Sequence, residues 1–222
     1  IGTLTTREGR KFGFEINATN MNPIAFTQLA IIDVQEQKYL QKVNLVPNCP
    51  KNWAEYDESK PWYVKLDGPS TDPSDGAVLM SSINNNVMYM EVMASFKDLH
   101  TGEDCKIKLK MSQQGKPLLV WGNGCREVNP DGDSPLTRNN YYYSFTHLLA
   151  AGTITIGEES FDVSGLTWMD HEYGAFPKSY KWLLQDMQLN NGVHLSNYTG
   201  GSMPVQGQPM KSNATILLEN GE

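Results

Sequence analysis

The stretch GLTWMDHEYG sets three ionisable side chains, Asp170, His171 and Glu172, directly after the apolar pair Trp168–Met169. A carboxyl group held away from water has a raised pKa and can act as a general acid. Side chains alternate along a strand, so Trp168, Asp170 and Glu172 share one face, while Met169 and His171 point to the other. We therefore predict that Asp170 donates a proton in a poorly solvated pocket, that Glu172 holds or relays it, and that His171 orients the strand.

Two other interpretations of the triplet stay open. Neighbouring residues on a regular strand cannot all bind one metal ion, so a metal site would need a bulge and a further ligand such as His147 or His194. We expect no metal and no cofactor. The triplet is also compatible with ordinary polar residues at the end of a strand, bonded to the neighbouring backbone.

A second stretch, NNYYYSFTHLL, places Tyr141, Tyr143, Phe145 and His147 on one face of a predicted strand. Aromatic rings on the inner face of a barrel build a core more often than a pocket, because their burial is a main source of stability. The pattern alone does not separate these two roles.

Composition excludes some classes of function. The 222 residues carry 18 basic and 25 acidic side chains, for a net charge of −7, with no basic cluster, so we predict no nucleic-acid binding. No apolar run approaches the roughly 20 residues that span a bilayer, so we predict no membrane span. The sequons at Asn17, Asn197 and Asn213 favour a secreted or extracytoplasmic protein. The pairing of Cys49, Cys105 and Cys125 stays open.

Strand signals recur along the chain and helical signals are rare. Short runs rich in β-branched and aromatic residues, such as KFGFEINA and AFTQLAIIDV, alternate with turn-forming segments. This pattern predicts an all-β fold of antiparallel meanders that close into a barrel or sandwich. We predict one hairpin turning at Asn191-Gly192 and another turning at Ala151-Gly152.

The residues that could do chemistry also carry a family resemblance. The chain resembles the AttH/CrtC family, which includes carotenoid 1,2-hydratase, kievitone hydratase and bacterial proteins described as secreted hydrolases. The resemblance runs from Gly2 to about Tyr198, and its most specific element is GLTWMDHEYG, supported by YYYSFTHL and KWLLQDMQLNNGVHLSNY. This sequence departs from the family pattern at Tyr173, where Trp is usual, and at His147, where Arg is common.

The resemblance implies a fold and a division of the chain. Family members contain two lipocalin-like β domains, with the motif strand in the first. We therefore expect an all-β, lipocalin-like antiparallel β-barrel over residues 1–200. Residues 201–222 are expected to form a linker and the start of a second, incomplete domain of the same kind.

The resemblance also implies hydration of an alkene in a small hydrophobic substrate that carries a prenyl or terpenoid chain. Asp170 matches the acid of the family, with Glu172 and His171 as further catalytic candidates. Aromatic faces attract a carbocation by about 1–2 kcal/mol each when water is excluded. The predicted substrate-binding residues are Trp168, Tyr143, Phe145, His147 and Trp182.

The same predicted barrel suits other functions. A cyclase of the Diels–Alderase or terpenoid type would shape a polyene with little acid–base chemistry. A carrier would only hold a hydrophobic ligand. We set aside a retaining glycosidase, because the neighbours of Asp170 and Glu172 are bulky and apolar, and a serine hydrolase, because Ser144 lacks an elbow sequence.

Overall fold

The structure is a computed structural model that describes residues 1–57, 59–176, 181–201 and 211–219. Almost all of its regular structure is β-strand, broken by one short α-helix and one 3₁₀ turn. The predicted all-β, lipocalin-like antiparallel fold is confirmed. The elements are β1 (Gly2–Thr5), β2 (Lys11–Asn20), β3 (Ala25–Asp33), β4 (Lys38–Val46), β5 (Ala54–Asp57), β6 (Lys60–Leu66), β7 (Ala77–Ile83), β8 (Asn86–Lys97), β9 (Asp104–Gln113), β10 (Leu118–Leu119), the 3₁₀ turn (Val120–Gly122), β11 (Cys125–Glu127), α1 (Pro135–Arg138), β12 (Asn139–Ile156), β13 (Glu159–Gly174), β14 (Lys181–Gln188), β15 (His194–Gly201) and β16 (Lys211–Leu217).

The chain divides into two compact units. Unit 1 comprises Ile1–Gln114 and Leu148–Thr167, and unit 2 comprises Gly115–His147 and Trp168–Glu222. The long strands β12 and β13 therefore each contribute one segment to unit 1 and one to unit 2.

Unit 1 is a curled antiparallel sheet in which the strand order runs β4, β3, β2, β1, β13, β12, β9, β8, β7, β6, β5. Hydrogen bonds link β3 and β4 to residues that flank β7 and β8. The hydroxyl of Thr27 on β3 donates to the carbonyl of Gly76 before β7 at 2.7 Å, and the amide of Gln41 on β4 donates to Asp98 after β8 at 2.7 Å. These bonds join the β3–β4 end of the curled sheet to residues that flank β7 and β8.

The interior of unit 1 follows from the alternation of side chains on its strands. Cys105, Ile107, Leu109 and Met111 of β9 are buried, while the intervening residues are exposed. Each fully buried apolar side chain of this kind stabilises the fold by about 1.5–3 kcal/mol. The strong alternation explains why strand prediction from the sequence succeeded here.

The hairpin predicted at Ala151-Gly152 is wrong. β12 continues without a turn from Asn139 to Ile156, and Gly152 pairs with Leu109 of β9. A side chain at Gly152 would overlap the backbone oxygen of Lys108. The glycine therefore permits a close approach between two strands rather than a turn, and the chain reverses later, at Gly157.

Unit 2 contains β10, β11, α1 and a sheet of β14, β15 and β16. The hairpin predicted at Asn191-Gly192 is confirmed, since it joins β14 to β15 and Gly192 has a positive φ of 76°. β16 pairs with β15 over its whole length. Residues 202–210 and 220–222 of the predicted linker and second domain lie outside the described residues, and this domain division stays a prediction.

Two further features concern the described part of the chain as a whole. None of its helices is long and apolar enough to cross a membrane. Cys49, Cys105 and Cys125 are free thiols, and burial raises the pKa of Cys105 to about 12. A thiol with such a pKa is inert as a nucleophile at neutral pH.

Candidate functional site

The carboxyl group of Asp170 is held by two hydrogen bonds within unit 2. Its Oδ1 accepts from the hydroxyl of Ser144 on β12 at 2.5 Å and from the indole N–H of Trp168 at 2.9 Å. Both donors are buried, with 0% and 5% of their surface exposed. Hydrogen bonds to a carboxylate from buried donors fix the orientation of that carboxylate.

The contacts confirm that the motif strand presents alternate residues to opposite faces. Trp168 and Asp170 bond to each other, while Nδ1 of His171 lies 2.9 Å from the hydroxyl of Tyr143. Glu172 returns to the Asp170 face by the same alternation. Desolvation raises the pKa of Glu172, and the charge of Arg126 opposes the rise.

The structure does not bring all the predicted substrate-binding residues together. The ring of Tyr143 lies 5.4 Å from that of Phe145 and 5.1 Å from that of His171, so both aromatics belong to the His171 face of the strand. The ring of His147 lies 5.5 Å from that of His194 on β15. Trp182 is 63% exposed. Of the predicted set, Trp168 alone contacts Asp170 in the described hydrogen bonds.

The expectation that Asp170 is enclosed and dry is not met, because the residue is exposed in this structure. Desolvation acts instead on Asp186, a half-buried residue of β14. Burial, followed by the charge of Asp170, raises the pKa of Asp186 to about 6. The raised pKa of about 6 therefore belongs to Asp186, which neighbours the predicted donor Asp170.

Asp170 and Asp186 form an interacting carboxyl pair, since the charge of Asp170 acts on Asp186 and raises its pKa. Two neighbouring carboxylates cannot both ionise without repulsion, so the pair retains a proton to higher pH than an isolated acid would. Burial and both of these charges also raise the pKa of Tyr142, which stays protonated and can donate to the pair. The arrangement is a hydrogen-bonded acid whose proton is available near neutral pH.

Sequence reasoning missed Asp186. The run KWLLQDMQL was interpreted only as a strand, although Asp186 is its one acidic residue. Its side chain shares a face of β14 with Leu184 and Gln188, and the register places it opposite Ser196 of β15. A lone acid among apolar residues on a strand was the available signal, but nothing in the sequence pairs it with Asp170.

Two other features lie apart from the carboxyl pair. An open groove of about 650 Å³ in unit 1 is lined by residues that include Tyr89, Lys110 and Leu149, and by none of the predicted site residues. Within the described ranges, no group of three or more His, Cys, Asp or Glu side chains is placed to hold a metal ion.

Comparison with known proteins gives one family and two related folds. The family model described as AttH-like matches residues 1–221. The curated proteins provide no significant match. The crystal structure of an AttH protein from Nitrosomonas europaea superposes with a TM-score of 0.72 at 18% identity. The matched region covers 100% of this chain and 64% of the Nitrosomonas europaea chain.

The crystal structure of kievitone hydratase from Nectria haematococca superposes with a TM-score of 0.68 at 14% identity. The matched region covers 100% of this chain and 61% of the kievitone hydratase chain. This chain thus spans less than two thirds of the length of either structure. At these identities the two likenesses establish the fold.

Proposed function

Because this chain belongs to the AttH-like family, we propose that it is a hydratase that adds water to an alkene of a small hydrophobic substrate. The fold it shares with kievitone hydratase supports the reaction class. The single observation that carries the proposal is the carboxyl pair, in which Asp170 is oriented by Ser144 and Trp168 and its charge raises the pKa of Asp186.

The first step of the proposed reaction is protonation of the alkene. The proton of the pair moves from a carboxyl oxygen to the less substituted alkene carbon, and the π electrons form the new C–H bond. The positive charge develops on the more substituted carbon. Because Oδ1 of Asp170 is occupied by two donors, we assign transfer to another carboxyl oxygen of the pair.

The environment of the pair favours this step. A carboxyl group is an effective general acid when its pKa lies near the working pH, and the pKa of Asp186 at about 6 meets this condition. After transfer, the two hydrogen bonds from Ser144 and Trp168 stabilise the carboxylate that remains. The indole face of Trp168 also attracts the nearby cation.

The second step is attack of water on the cation, which forms a C–O bond and releases a proton. The product is a tertiary alcohol, and no oxidant or reductant is consumed. A prenyl or terpenoid alkene fits this chemistry best, since its trisubstituted double bond gives a tertiary cation. We propose substrates of this class, acted on outside the cytoplasm.

The test is turnover of prenylated phenols and acyclic terpenoids in heavy-oxygen water by the wild type and by Asp170→Asn. We expect heavy oxygen in a tertiary alcohol product from the wild type, and a rate at least about 100-fold lower in the variant because the carboxyl pair that supplies the proton is broken. The matched control is Asp162→Asn, which removes an exposed acid from the same strand.

Three results would contradict the proposal. A product without heavy oxygen would indicate cyclisation or isomerisation. Binding of these compounds without any product would indicate a carrier. An unchanged rate in Asp170→Asn would remove the acid from the mechanism.

A further inference from the structure

The buried polar atoms of unit 2 that lack hydrogen-bond partners among the described residues include the hydroxyl oxygen of Thr146 on β12 and Nδ1 of His194 on β15. The two residues are 0% and 5% exposed. Buried polar groups in folded proteins are almost always hydrogen-bonded, to protein or to ordered water. These two atoms thus have unused capacity to bind a small polar molecule.

Several contacts hold the two residues beside each other. His194 pairs with Gln188 in the β14–β15 ladder, and the amide of Gln188 donates to the carbonyl of Thr146 at 2.6 Å. The ring of His147, the next residue after Thr146, lies 5.5 Å from that of His194. The ladder pair and the Gln188 bond therefore place His194 beside the Thr146 segment of β12.

The same region adjoins the carboxyl pair. Thr146 follows Ser144 by two positions on β12, so its hydroxyl lies on the strand face that supplies the hydrogen bond to Asp170. The ring of Trp168 lies 6.4 Å from that of His194, and its N–H donates to Asp170. One tryptophan thus separates the unpartnered atoms from the proposed acid.

We propose that His194 and Thr146 hold the water molecule that attacks the cation, with His194 as the base that accepts its proton. This inference rests on the proposed hydratase function. The water oxygen forms the C–O bond, and one of its protons passes to the imidazole. The carboxyl pair loses one proton and His194 gains one in each turnover, so return of that proton through solvent restores the starting state.

The environment of His194 suits this role. Burial, and then the neighbouring His147, lower its pKa below the usual value of histidine. The imidazole is therefore neutral at neutral pH and one ring nitrogen can accept a proton. The hydroxyl of Thr146 can accept a hydrogen bond from the same water or donate one to its oxygen.

The test follows the fate of the cation in Thr146→Val and His194→Gln. The full chain is incubated with a dimethylallyl-substituted phenol in deuterium oxide enriched in heavy oxygen. If the water is misplaced, the cation still forms but loses a proton instead, which returns deuterium-labelled alkene. We expect the ratio of alcohol to labelled alkene to fall at least about tenfold in both variants, as loss of a positioned base implies.

Matched controls are Thr167→Val, which removes a hydroxyl bonded to the Leu148 carbonyl in unit 1, and His100→Gln, which removes an exposed histidine. Both should keep the wild-type product ratio. An unchanged ratio in Thr146→Val and His194→Gln would overturn the assignment while leaving the hydratase intact. A wild type that incorporates neither label would instead contradict the hydratase proposal, and this inference with it.

Thermal unfolding gives a second measurement that needs no substrate. Thr146→Val should leave the melting temperature unchanged or raise it, because the lost hydroxyl has no protein partner in the described structure. Thr167→Val should lower it, because a buried hydrogen bond is lost. A clear loss of stability in Thr146→Val would show that its hydroxyl serves the fold.

Discussion

At the residue scale, the chemistry of this protein depends on which carboxyl group carries the proton. The motif pointed to Asp170 and to the face it shares with Trp168, and the hydrogen bond between them confirms that face. The enclosure expected for Asp170 belongs instead to Asp186. Strand alternation made the shared face of Trp168 and Asp170 predictable. The burial of Asp186 depends instead on packing between distant parts of the chain.

The raised pKa of Asp186 has a consequence for stability. Its folded pKa of about 6 exceeds the ordinary 3.8, so in this interval the folded state binds more protons than the unfolded state. The free energy of unfolding from this residue therefore falls as pH rises from about 4 to about 6. Solvent screening of this half-buried carboxyl keeps the cost at neutral pH below the roughly 3 kcal/mol that about 1.4 kcal/mol per pKa unit would give.

We expect Asp186→Asn to remove this cost. Relative to the wild type, the variant should gain stability as pH rises through the interval from about 4 to about 6, and keep the gain at neutral pH. Chemical denaturation at a series of pH values measures the difference, with Asp162→Asn as the control. A difference between variant and wild type that does not change with pH would contradict the raised pKa.

At the element scale, the strands were predictable and their connections were only partly so. Alternation identified β2, β3 and β9, and Asn191-Gly192 identified the β14–β15 turn. Ala151-Gly152 was misread, because glycine marks both tight turns and sites of close strand approach. Only the partner strand, with the oxygen of Lys108 against Gly152, distinguishes the two cases.

Gly152→Ala should therefore destabilise unit 1. The added methyl group would overlap a backbone oxygen in the β9–β12 ladder, and such overpacking typically costs about 1–3 kcal/mol. Gly13→Ala is the matched control, since its methyl group would meet Ile32 at an ordinary 3.5 Å. Thermal unfolding of both variants checks this, and equal melting temperatures would argue against close strand approach as the reason for Gly152.

At the scale of the whole molecule, the fold class and family were accessible from the sequence, and the assembled site was not. Strand periodicity indicated the all-β class, and short motifs indicated the family whose model matches residues 1–221. The candidate site joins β12, β13, β14 and β15, which belong to two different sheets. Alternation within one strand gives no information on which residues of another sheet face it, so Asp186, His194 and Thr146 required the structure.

The carboxyl pair of Asp170 and Asp186 as the source of the proton is tested most directly by an NMR titration of the aspartate side-chain carboxyl groups in the full chain. Asp170→Asn and Asp186→Asn assign the two signals. We expect the pair to keep one proton up to a pH of about 6. In Asp170→Asn the pKa of Asp186 should fall, because the neighbouring charge is gone. Titration of Asp186 near its ordinary pKa of 3.8, unchanged in Asp170→Asn, would contradict the interacting carboxyl pair.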